Sequence, residues 1–110
     1  MGEDNAWQNS ITLFEHALDT TTGNWLPHYN LGYVLEKQGR RDKAITHYLE
    51  ALHLKPDHVK AHNNLGLALL VKENIGGAIE HFREALRIRP DYVNAKNNLN
   101  RVLMIQQQRQ

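Results

Sequence analysis

Seven histidines and one serine are the side chains in this sequence most able to do acid–base, metal or nucleophilic chemistry. Their spacing argues against it. His28 and His62 stand 34 residues apart, as do His47 and His81, so each pair is read as equivalent positions of successive units, about one helix-pair width apart. There is no H-E-x-x-H, and without cysteine the zinc-ribbon and zinc-finger spacings are absent. Ser10 lies in no G-x-S-x-G elbow, and "NIGGAI" (74–79) lacks the lysine and following hydroxyl of a phosphate-binding loop. The histidines are accordingly read as packing or solvent-facing residues, with no catalytic residue, metal or cofactor expected. Arg40, Arg41 and Lys43 form a short basic cluster at an interhelical turn, read as a solvated corner rather than a phosphate track, so no nucleic-acid partner is expected. What does recur is an amide. "HYNLG" (28–32), "HNNLG" (62–66) and "KNNLN" (96–100) place Asn30, Asn64 and Asn98 at one fixed interval.

The 110 residues suffice for one domain with a real core. Thirteen basic residues against twelve acidic ones leave the charge balance near neutral, which favours neither nucleic acid nor an acidic membrane surface. No apolar run approaches the roughly 20 residues that cross a bilayer, and the opening "MGEDNAWQNS" lacks the basic-then-apolar order of a signal peptide. A soluble, untargeted chain without a membrane partner is expected, the cytoplasm being only the default compartment.

The asparagines belong to a longer periodicity. Residues 25–58 laid over 59–92 give 13 identities in 34 without a gap, among them Leu31/Leu65, Gly32/Gly66, Ala44/Ala78, Ala51/Ala85 and Pro56/Pro90. The frame extends backward, where Phe14 and Ala17 precede Tyr48 and Ala51, and forward, where Ala95 and Leu99 follow Ala61 and Leu65. Within each unit the apolar residues fall at helical spacing in two blocks, 26–38 with 41–54 and 60–72 with 75–88, which predicts a helical hairpin. Gly39 fits a residue just past a helix end, and Pro56-Asp57 and Pro90-Asp91 stop the second helices. Gly32, Gly66 and the repeated alanines are expected to let paired helices approach, with Tyr48 and Phe82 filling the remaining space.

This pattern of L-G, then A, an aromatic, A and a final P at a period of 34 resembles the tetratricopeptide repeat. The resemblance implies an all-α solenoid of antiparallel hairpins in a single domain spanning 1–110. Its parts are the second helix of a partial repeat (5–20), full repeats at 25–58 and 59–92, and a terminal first helix (93–107). His28 and His62 stand where the family often has tryptophan, Leu35 and Leu69 where it often has tyrosine, and Asn100 where the repeats carry Gly32 and Gly66.

In that family the first helices line a concave groove, so the resemblance implies a peptide-binding row of Tyr29, Asn30 and Tyr33, then Asn63, Asn64 and Leu67, then Asn97, Asn98 and Arg101. Chaperone-tail binders of the family clamp a terminal carboxylate with lysine and asparagine, and only Asn63 and Arg101 resemble that clamp. The N-N-L-G style is more similar to the repeats of O-linked N-acetylglucosamine transferases and bacterial relatives, where an asparagine ladder holds an extended peptide. An amide both donates and accepts, so it pairs with a peptide unit whatever side chain that unit carries. The expected function is therefore a non-catalytic module that binds a protein or peptide partner. The alternatives are a scaffold that stacks through its open ends, or the accessory repeats of a larger enzyme such as a glycosyltransferase. The apolar run Val102 to Ile105 predicts weak self-association through the carboxyl-terminal helix.

Overall fold

The structure is a computed structural model that describes residues 24–109. Those residues form five helices and no strand: α1 (Trp25–Lys37), α2 (Arg41–Leu54), α3 (Val59–Val71), α4 (Ile75–Ile88) and α5 (Val93–Gln108). The expected helix over 5–20 lies outside the described residues. Contacts divide the chain at Pro56/Asp57 into two compact units. In the first, α1 packs on α2; in the second, α3 packs on α4 and α4 on α5.

The helix ends follow from local chemistry. Asn24, His58 and Asn74 cap α1, α3 and α4, each accepting a backbone N–H of the first turn. Lys55 and Arg89, each just before a proline, take φ −138° and −139°, because the proline ring bars the α conformation to its predecessor. Both hairpin turns need one left-handed residue. Gly39 fills that place in the first (φ 78°), and Glu73, its equivalent 34 residues on, is forced into it in the second (φ 64°).

Each hairpin closes around an aromatic ring set against a glycine. Tyr48 and Phe82 are fully buried. A Cβ added at Gly32 would lie 2.8 Å from Cδ1 and Cε1 of Tyr48, and one at Gly66 would lie 2.6 Å from Cε1 of Phe82. The two hairpins then differ in a matched way. The Tyr48 hydroxyl donates to Oε1 of Glu36 at 2.9 Å, whereas Phe82 has no hydroxyl and the residue equivalent to Glu36 is Leu70, which packs against the Phe82 cluster. A polar pair has been exchanged for an apolar one as a unit, which leaves no half-satisfied partner behind. Val102 of α5 completes the second core, while Met104 on the same helix is 61% exposed.

Two outcomes test this packing in denaturant melts. Gly66→Ala is expected to cost about 1–3 kcal/mol, because the Phe82 ring is enclosed and cannot yield, whereas Asn100→Ala, at an exposed site, should change stability little. Glu73→Gly should stabilise by about 1 kcal/mol through relief of the left-handed strain. The ion pair it removes, Glu73 with Arg109 at 3.6 Å, is exposed and adds little.

Candidate functional site

The first helices carry the expected row, and the two units present it differently. On α1, Tyr29 is half-buried, its ring 5.9 Å from that of Tyr48 and tilted by 44°. Asn30 is half-buried. Tyr33 is 45% exposed, with Nζ of Lys37 5.1 Å above its ring, so its face is held by a cation–π contact.

In the second unit, α3 and α5 frame an open depression of about 410 Å³. Asn63, Asn64 and Leu67 line it from α3, and Asn94, Asn97, Asn98 and Arg101 from α5. Six of the nine residues expected to bind a peptide converge here. Their α3 members follow from helical spacing, since 63, 64 and 67 lie within one turn of each other on one face. The lining is mostly amide, Leu67 is its apolar element and Arg101 its only charged side chain. Such a surface can donate to carbonyls and accept from N–H groups, and it carries no group that titrates near neutrality. A larger hollow of about 660 Å³ lies along Gly76, Ile79, Glu80, Arg83, Glu84 and Arg87, but these belong to one face of α4 alone and supply no opposing wall among the described residues.

Within the depression two amides engage each other. Asn63 is only 4% exposed, and its Oδ1 accepts from Nδ2 of Asn98 at 2.9 Å, tying α3 to α5. The equivalent amides at the 34-residue interval were Asn64 and Asn98; the bond instead joins positions 35 apart. Asn98 thus serves two ends, with its NH₂ committed to the neighbouring helix, while Asn97 and Arg101 stand exposed at the rim.

The histidines hold the feature that sequence spacing did not reveal. His28 does meet a histidine, but across its own hairpin: Nδ1 of His28 lies 3.3 Å from Nδ1 of His47, and Nδ1 of His62 lies 3.1 Å from Nδ1 of His81. The available signal was the equal offset of 19 residues within each repeat rather than the 34 between repeats. No group of three metal-ligating side chains forms among the described residues.

Five helices arranged as hairpins that repeat every 34 residues, each closed by a ring on a glycine, define a helical-hairpin repeat protein. The chain belongs to the tetratricopeptide repeat family, whose model matches residues 29–93. Among curated proteins, it is 34% identical over 53 residues to the mouse (Mus musculus) protein O-mannosyl-transferase TMTC3, a match over 48% of this chain and 6% of that protein. The chain therefore corresponds to a small part of such a relative. Two solved structures share its fold. The first tetratricopeptide domain of Spaghetti (RPAP3) bound to the HSP90 peptide SRMEEVD superposes with a TM-score of 0.86 at 17% identity, over 90% of this chain and 79% of that one. The second such domain of human RPAP3, in complex with the HSP70 peptide SGPTIEEVD, gives 0.82 at 19% identity, over 87% of this chain and 80% of that one.

The Asn63–Asn98 bond predicts a measurable coupling. Asn63→Ala and Asn98→Ala should each destabilise, and the double variant should cost less than their sum by roughly 0.5–1.5 kcal/mol, the value of a neutral hydrogen bond. Strict additivity in urea melts would mean that the two amides do not act together.

Proposed function

We propose that this chain is a non-catalytic interaction module that binds an extended segment of a partner protein, and that its amide-lined depression recognises the peptide backbone. The observation that carries the reading is the depression itself, where five asparagines of α3 and α5 line one open surface with Leu67 and Arg101. Asparagine amides at a helix surface contribute little to helix stability, so their accumulation on one face favours a ligand role. Arg101, exposed at the rim, adds a preference for a carboxylate on the peptide. On the first unit, taken by itself, Tyr29, Asn30 and Tyr33 offer aromatic contact area of their own to a peptide. The peptide complexes of the two RPAP3 domains support this use of the fold. The proposal treats 25–58 and 59–92 as full repeats of one module and 93–107 as the first helix of another.

A second reading is that the repeats are the accessory part of a larger glycosyltransferase, favoured by the match to an O-mannosyl-transferase of which this chain spans 6%. The two readings are compatible, since an accessory module of this kind acts by holding a substrate or partner.

Peptide arrays screened with the chain, followed by calorimetry, test the proposal. Asn64→Ala and Asn97→Ala should each weaken a selected peptide by roughly 0.5–1.5 kcal/mol with little change in melting temperature. Methylation of the peptide's backbone nitrogens should abolish binding, while exchange of its side chains at the amide-contacting stretch should be tolerated. Loss of stability without loss of affinity would assign the asparagines to folding instead.

A further inference from the structure

The histidine pairs form the polar feature that the peptide-binding reading leaves unused. They recur as a set: His28, His47 and Glu50 in the first hairpin match His62, His81 and Glu84 in the second, three of the 13 positions at which the two repeats are identical. In each, one histidine comes from the first helix of the hairpin and its partner from the second. Glu50 and Glu84 lie one helical turn beyond the second histidine, on its face.

The ring geometry decides what the pairs hold. Ring planes are 29° and 28° apart and centroids 5.5 and 5.4 Å apart, while the nitrogens approach to 3.3 and 3.1 Å. The centroids thus sit one ring radius behind each nitrogen. The rings meet edge to edge, with the two Nδ1 atoms aimed at each other along one line. A metal on that line would need about 4.0–4.2 Å between the nitrogens, given metal–imidazole bonds of about 2.0–2.1 Å. The gap fits an N–H···N hydrogen bond and nothing larger.

Proton counting follows from that bond. In the neutral pair, one ring carries its hydrogen on Nδ1 and donates; the other carries it on Nε2 and accepts. A first added proton goes to Nε2 of the donor ring, and the hydrogen bond survives with a charged donor. A second must go to the accepting Nδ1. That removes the acceptor and sets two cationic N–H groups against each other. We propose that His28–His47 and His62–His81 are one-proton clamps: each keeps its hairpin closed with no proton or one proton added and releases it when the second arrives, making the hairpins acid-labile.

The surrounding charges agree with that direction. Burial holds His28 below its ordinary value of 6.5, opposed by Glu50. Burial first and the neighbouring His62 second hold His81 below the same value, opposed by Glu80 and Glu84 of its own helix; α5 contributes none of these charges. Glu84 is itself engaged by Nε of Arg87 at 2.8 Å, so it does not neutralise the pair on its own. A histidine whose folded value is depressed binds more protons when unfolded. Its stabilising effect is complete above pH 6.5 and is lost as pH falls through the folded value.

Two measurements on the 110-residue chain test the clamps. The first is the unfolding equilibrium at pH 8 to 5, compared with the variant His47→Asn/His81→Asn. An asparagine amide reaches the place of Nδ1 and can either donate or accept, so it answers its partner in either charge state. His58, whose Nδ1 accepts the Ala61 N–H at 3.0 Å, is common to both proteins. Below pH 6.5 the unfolding constant of the unaltered chain should rise more steeply than the variant's, by up to about tenfold per pH unit for each pair, because each pair excludes one proton when folded. Parallel curves would overturn the proposal. The second is long-range proton–nitrogen NMR at pH 8, which reads the folded chain alone and does not depend on the variant. Each pair should contain one Nδ1–H ring and one Nε2–H ring. Four Nε2–H rings would mean that no proton lies between the nitrogens, and the clamp would be refuted.

Discussion

Each hairpin depends on one contact, an aromatic ring seated on a residue with no side chain. Gly32 beneath Tyr48 and Gly66 beneath Phe82 bring the first and second helices so close that a single added carbon would sit inside the ring's van der Waals envelope. Because protein interiors are packed to crystal density, this spacing is transmitted to every other residue pair between the two helices. The alanines at 44, 51, 78 and 85 are fully buried for the same reason. The histidine pairs can form hydrogen bonds across the hairpin only because the backbones are already held at that distance.

The same close approach explains which polar groups appear between helices. A buried polar atom must find a partner in the same narrow layer. Tyr48 finds Glu36, His28 finds His47, and His62 finds His81. Where the hydroxyl is absent, at Phe82, the equivalent acceptor is replaced by Leu70, so the apolar solution is also complete. The depression on α3 and α5 differs, because it opens to solvent: Asn63, itself buried, and Asn98 spend one bond on holding the helices, and Asn97 and Arg101 stand exposed at the rim.

Much of this architecture could be read from the chain alone. The 34-residue identity pattern placed the hairpins at 26–38 with 41–54 and 60–72 with 75–88, against observed helices of 25–37 with 41–54 and 59–71 with 75–88. The agreement is close because the signals are local: apolar spacing, a proline that bars the preceding residue from the helix, and a left-handed turn position that Gly39 marks. Glu73 shows where that local language thins, since nothing in its side chain announces a left-handed backbone and only alignment with Gly39 does. That amides would gather on the first helices was also legible, because a fixed recurrence on one helix face needs no knowledge of a partner helix. The pairings were not. Repeat logic compares a residue with its equivalent 34 positions away, whereas packing joins it to whatever the opposite helix presents, at an offset of 19 for the histidines and 35 for Asn63 and Asn98. Those offsets depend on the rotation and rise of one helix against another, which no single segment encodes and which, within each hairpin, the ring-on-glycine contact sets.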